Sequence, residues 1–387
     1  VSFDLDQELL TGTARVTVPA GSLLELDLEH LDITGITLSE PEHENQPLSL
    51  QGKSHLTLGA EKTVRIVHIS YTKRIKNNFR DMLSDEAIIL TSPWHPLPAG
   101  KALFSLSANV PPGFTAVSES DVFQPTGRDG KASFHFSQPL SSLTFAAAPY
   151  KIQSMIVRDT LEVHTLFFEQ EAHLAREYLE AAAGYIRRYE KEIGPFPYNH
   201  YLIVENPMPT GYGMPTFTLL GRQVLRLPFI KDTSLGHEIL HSWFGNSVEP
   251  DYTEGNWCEG LTTYLADMAY REDKGEGAQS RREKIQEFES YISETTPPLG
   301  DFVAAGHRGS ANRGIRAVGY GRSAMLFHEL RIKVGDHVFY QSLQEFYRRY
   351  RGKSATWSQI QQIFEDQSNL ELSVFFHERL ERNDLPN

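Results

Sequence analysis

The chain has 387 residues, a length that argues for two or three domains rather than one. An apolar fraction of 40% supports packed cores and excludes a disordered chain. The formal charge of -13 disfavours nucleic acid or anionic membrane as the main partner, because both need a basic face.

Residues 1–150 read as an N-terminal β-domain. Apolar positions alternate at Ala14, Val16 and Val18, at Leu24, Leu26 and Leu28, and at Val64 and Ile66. A period of two marks strands with one buried face. Pro19-Ala20-Gly21, Pro111-Pro112-Gly113 and Asp129-Gly130 supply turns between strands. The expected result is a sandwich of antiparallel sheets. The texture changes after Tyr150. Leu174, Tyr178, Leu179, Ala182, Ile186 and Tyr189 recur at helical spacing within Glu171 to Ile193, and Gly194-Pro195 stops that helix. Tyr201 to Val204 reads as a short strand. A helix is predicted from about Thr233 to Phe244, capped by Asp232, Thr233 or Ser234 and ended by Gly245-Asn246. Further helices are predicted near 259–271, 280–293, 321–334, 336–350 and 356–366. Residues 151–387 thus form a second, mainly helical domain with a small sheet at its start, and the fold class is α+β.

No apolar run approaches the roughly 18 residues of a membrane span. Val1 is followed by no charged-then-apolar leader, so the sequence reads as a processed or trimmed form, and prior removal of an export signal stays open. Cys258 is the single cysteine, which rules out an internal disulfide.

His237-Glu238-Ile239-Leu240-His241 carries the chemistry. Two histidines four apart project from one helix face. Their nitrogens can converge on one tetrahedral zinc ion, with Glu238 beside a metal-bound water. A catalytic zinc site commonly has three protein ligands, and the third is expected from a nearby antiparallel helix. Glu259 begins such a helix, and the loop from Gly245 to Asn256 is long enough to reverse the chain. Cys258 is the rival ligand, since thiolates bind zinc well. Adjacent helical residues diverge by about 100°, so only one of the two can face the ion.

These residues resemble the membrane alanyl aminopeptidase family of zinc metallopeptidases, gluzincins that include leukotriene hydrolase. Gly236 to Asn246 is similar to the family's zinc helix, and Glu259-Gly260 with Tyr264-Leu265 to its third-ligand helix. Val318-Gly319-Tyr320-Gly321-Arg322 resembles the segment that supplies the catalytic tyrosine. Gly194 to Tyr198 and Trp94-His95-Pro96 match further landmarks. The resemblance implies a saddle-like β-domain followed by a thermolysin-like catalytic domain. It implies one zinc per chain, peptide substrates, Glu238 as general base and Tyr320 as oxyanion donor. Gly211, Gly213 and Met214 align with the strand that binds substrate. Asp267 is a candidate to orient a ligand histidine.

Three departures stand out. Seventeen residues separate His241 from Glu259, one fewer than is usual in the family. Arg322 replaces a lysine. Pro215 stands where the family's Gly-x-Met-Glu-Asn strand has the glutamate that grips a free amino terminus. Glu205 is the nearest substitute in sequence, although a lone glutamate there reads more readily as a solvated loop residue. Three functions follow: an aminopeptidase, a zinc endopeptidase or other amide hydrolase without strict need for a free terminus, and a catalytically silent module of the same fold.

Overall fold

The alternation in the first part of the chain becomes a seven-stranded sheet in the computed structural model, which describes residues 1–40, 43–48, 50, 54–209, 211–293, 296–303, 314 and 317–381. Leu9–Val18 and Arg65–Arg74 pair antiparallel along their full length at its centre. The buried face of the second strand is Val67, Ile69 and Tyr71, whereas Val64 is exposed and Ile66 only half-buried. The expected register there is one residue out of phase, which moves every side chain to the other face. A three-stranded and a four-stranded sheet complete this β-rich region. One strand pair, Ser2–Asp4 with Ser105–Asn109, is parallel rather than antiparallel.

The four-stranded sheet ends with Phe145–Ala148, and Lys151–Arg158 opens a separate five-stranded sheet. Its order is Lys151–Arg158, Leu161–Phe167, His200–Asn206, Phe217–Gly221 and Gly211–Gly213. The inner pairs are parallel and the outer pairs antiparallel. Gly211–Gly213 is therefore an edge strand among the described residues. One face of this sheet packs on the β-rich region through Ile89, Val117, Ala146, Leu202, Val204, Phe217 and Leu219. The other side joins the helices in a large core that holds Tyr201, Leu220, Leu235, Trp243 and Leu261.

The helix Ala175–Glu192 buries Tyr178, Leu179, Ala182, Ile186 and Tyr189, as its spacing predicts. Gly194 ends it at φ +138°, a conformation that favours glycine. The later helices run Gly277–Tyr291, Ser323–Val334, Asp336–Tyr350 and Trp357–Ser368, and a helix at Ser373–Glu381 has no counterpart in the sequence reading. Thr356 and Gln359 form a reciprocal cap at the start of Trp357–Ser368. Among the described residues no helix is long and apolar enough to cross a membrane.

Candidate metal centre

The helix Ser234–Leu240 is short and loses its regular pattern at His241. Thr233 occupies its N-cap but makes no capping hydrogen bond, because its hydroxyl is turned to the Phe229 carbonyl at 2.9 Å. His237 and His241 lie one turn apart with ring centroids 4.9 Å apart. Beyond them the chain reverses. Val248–Pro250 pairs with Lys353–Ala355, and the buried Trp257 indole donates to the Ala355 carbonyl at 2.7 Å. Asn256 Oδ1 then accepts the Cys258 N–H at 3.0 Å as the next helix starts. Gly260 lets this helix approach Ser323, since a Cβ there would lie 1.9 Å from the Ser323 hydroxyl.

The result places Glu259 Oε2 3.5 Å from His237 Nε2 and 3.6 Å from His241 Nε2. Three ligand atoms around a tetrahedral ion with bonds of about 2.0–2.2 Å stand about 3.3–3.6 Å apart. The spacing fits zinc. Oε2 is also buried without a hydrogen-bond partner among the described residues. An orphaned carboxylate oxygen is costly unless a cation or proton meets it. Cys258 Sγ takes a different position, 3.2 Å from the Phe244 carbonyl and 3.7 Å from His241 Nδ1, on the side of that ring away from Glu259.

The other ring nitrogens are held. His241 Nδ1 lies 3.0 Å from the Phe244 carbonyl, and His237 Nδ1 lies 3.3 Å from Asp267 Oδ2. Donation from Nδ1 leaves each Nε2 lone pair for a metal. Asp267 reaches this position through a local irregularity. Eight residues of pure α-helix after Glu259 turn through about 800°, roughly 80° past a whole number of turns. The helix widens into a π-helical turn at Tyr264–Met268, which absorbs the excess and brings Asp267 back towards the Glu259 face.

Electrostatics follow from this crowding. Burial opposes the Glu259 carboxylate, but His241, His237 and the Tyr320 hydroxyl outweigh it and hold its pKa at about 2. Burial likewise opposes a cationic His237, yet Asp267 and Glu259 push its pKa well above the ordinary value. Burial raises the pKa of Glu238, with His237 and His241 opposing and Glu259 and Asp267 adding. The Tyr320 ring lies nearly parallel to the His237 ring, 6.2 Å away.

The edge strand covers Glu238. A Cβ on Gly213 would lie 2.9 Å from Glu238 Oε2, and one on Gly211 3.5 Å from Oε1. Met214 turns away, its Sδ 3.5 Å from the Thr144 hydroxyl of the β-rich region. Pro215 follows in a bend. Glu205 is not a solvated loop residue. It lies in the strand His200–Asn206, fully buried, with Oε1 2.9 Å from Arg222 Nε and Oε2 accepting the Phe168 N–H at 2.8 Å. Strand propensity and an arginine seventeen residues away decided that placement, and nothing local signalled either. Two neighbours escaped the sequence reading as participants. Asn246 Nδ2 donates to the Gly213 carbonyl at 3.4 Å, and the buried Tyr201 hydroxyl lies close enough to feel the charge of Glu238.

Comparison with known proteins follows the same lines. Residues 232–378 match the peptidase family M1 domain. Aminopeptidase B of Mus musculus is 32% identical over 182 residues, which cover 43% of this chain and 26% of that protein. Aminopeptidase N of Escherichia coli (strain K12) is 27% identical over 143 residues, covering 36% of this chain and 16% of that protein. Leukotriene A-4 hydrolase of Xenopus laevis is 26% identical over 204 residues, covering 50% and 33%. The match thus spans about a quarter of the length of aminopeptidase B. The crystal structure of an M1 zinc metallopeptidase from Deinococcus radiodurans superposes with a TM-score of 0.75 at 19% identity, covering 100% of this chain and 93% of that one. That likeness shows the fold.

Proposed function

The chain belongs to peptidase family M1, and on that premise we propose that it is a zinc metallopeptidase that hydrolyses peptide bonds. The observation that carries the reading is the buried Glu259 oxygen, orphaned at 3.5 and 3.6 Å from two imidazole nitrogens. We assign residues 1–150 to a β-domain and 151–387 to a thermolysin-like catalytic domain.

In this reading His237, His241 and Glu259 hold one zinc ion. When bound, zinc polarises a scissile carbonyl and makes water a nucleophile at neutral pH. Glu238 takes the proton of the attacking water and passes it to the leaving amine. The Tyr320 hydroxyl donates to the oxyanion as charge develops there. Asp267 and the Phe244 carbonyl keep the imidazoles in the ligating tautomer. Gly211 and Gly213 let the edge strand, along which substrate backbone would lie, pass close beside Glu238.

Relatives named as aminopeptidases support an exopeptidase. Two local facts favour a relaxed form of that activity. Pro215 has neither a carboxylate nor an N–H, and both oxygens of Glu205 are already engaged. A cationic amine entering a dry cleft needs a carboxylate, and a charge-assisted hydrogen bond is worth about 1.5–3 kcal/mol. Losing it removes roughly 10- to 150-fold of discrimination. The test compares one peptide with its amino terminus free or acetylated, on protein with zinc content measured by elemental analysis. We expect one zinc per chain and comparable cleavage of both peptides. A preference above a thousandfold for the free form would overturn the relaxed reading.

A further inference from the structure

Arg80 immediately precedes the strand Asp81–Leu83, in the β-rich region. Its carbonyl is held by Thr91, through the N–H at 3.3 Å and the hydroxyl at 2.7 Å. The Tyr212 hydroxyl lies close enough to Arg80 and to the Thr91 side chain for both to act on it. Tyr212 is the middle residue of the edge strand Gly211–Gly213. Successive side chains on a strand point to opposite faces. Gly211 and Gly213 face Glu238, so Tyr212 faces away from it, and it packs with Met82 and Met214 against the apolar layer below. Arg80 therefore stands beside the edge strand on the face opposite the general base.

Its guanidinium is unusual. Nε and Nη2 are buried, and no hydrogen-bond partner reaches them among the described residues. The adjacent Asp81 does not supply one. Asp81 Oδ1 accepts the N–H groups of Thr91 at 3.0 Å and Ser92 at 2.9 Å. Arg80 is half-buried as a whole, but buried donors are costly when unpaired, and the planar guanidinium fork fits a carboxylate through two parallel hydrogen bonds.

We propose that Arg80 is a carboxylate-binding residue of the substrate cleft, selecting peptides with Asp or Glu on the Tyr212 side of the edge strand. The proposal rests on the peptidase reading above. A peptide laid along the outer edge of Gly211–Gly213 alternates its side chains between the two faces. One set meets Glu238, and the next meets Tyr212 and Arg80. The overall charge of -13 repels acidic peptides, so such a preference requires a local cation.

The experiment uses the zinc-loaded protein and paired peptides that differ only in Glu against Gln, or Asp against Asn, at each position flanking the scissile bond. Both kcat/KM and equilibrium binding are measured, for the wild type, Arg80→Met and Arg80→Lys. The expected result at one position is a preference of at least about tenfold for the acid. Arg80→Met should bring that ratio towards one, and Arg80→Lys should retain part of it, since lysine keeps the charge without the fork. A wild-type ratio near one at every position, in hydrolysis and in binding, would overturn the proposal. So would an acidic preference that survives Arg80→Met. Failure to hydrolyse any peptide would overturn the peptidase reading instead, and the acid-to-amide ratio in binding would still decide the role of Arg80.

Discussion

Two buried carboxylates in this molecule, Glu259 and Glu205, show how neighbours decide what a charge is for. Glu205 sits in the five-stranded sheet with an arginine on one oxygen and a backbone N–H on the other. Arg222 is a permanent cation, and it extends the network to Glu86 at 2.9 Å. Both oxygens of Glu205 are met from within the chain, which makes it a structural ion pair. Among the described residues no arginine pairs with Glu259; its partners are two imidazoles and a tyrosine, and one oxygen is left with no hydrogen bond. Histidine can be neutral, so that site can hand its negative charge to an added cation. A carboxylate buried among imidazoles, which can release their protons, is a better sign of a metal than a carboxylate buried beside arginine.

The largest effect that would test this contrast is catalytic. Glu238→Gln should retain zinc and fold while kcat falls by about 10²–10⁴-fold or more, as expected when a general base is removed. A variant with undiminished kcat would remove Glu238 from the chemistry. Next comes metal affinity. Glu259→Ala should weaken zinc binding by more than the roughly 10–100-fold typical of losing a supporting partner, whereas Cys258→Ala should leave it nearly unchanged. Competition with a chelator reads both, and the reverse ranking would mean that the thiol is the ligand.

The smallest effect lies at the other carboxylate. Arg222→Met should destabilise the fold by about 3 kcal/mol while zinc affinity stays as it was, because it strands a buried charge. Denaturant unfolding at several pH values sharpens the point. Burial holds the Glu205 pKa at about 7, against an ordinary value of 4.5, with Arg222 opposing that rise. The folded state therefore binds this proton more tightly than the unfolded state. Its contribution is fully present below pH 4.5 and declines as pH rises towards 7. Removing Arg222 should steepen that decline, and an unchanged profile would show that Arg222 does not hold the charge.

Much of the architecture was legible because it rests on local periodicity. The helix Ala175–Glu192 follows from its apolar spacing, and its end follows from Gly194. The phase of the strand Arg65–Arg74 was not legible, since Val64 and Ile66 are as apolar as the residues that face the core. Burial of a strand face depends on which sheet covers it, and that is information from elsewhere in the chain.

The candidate site divides in the same way. His237 and His241 converge because four residues make about one helical turn, a property that sequence determines alone. Glu238 is tied to them by covalent adjacency. The sequence also determines that Pro215 offers no carboxylate. Only the tertiary structure decided that Glu259 rather than Cys258 meets the two Nε2 atoms, through the Gly260–Ser323 approach. It also decided that a π turn carries Asp267 to His237, that Glu205 is consumed by Arg222, and that two guanidinium nitrogens of Arg80 are buried without a hydrogen-bond partner among the described residues. Each of these depends on close packing between segments distant in sequence, and such distances are set by the volumes of side chains that no local pattern encodes.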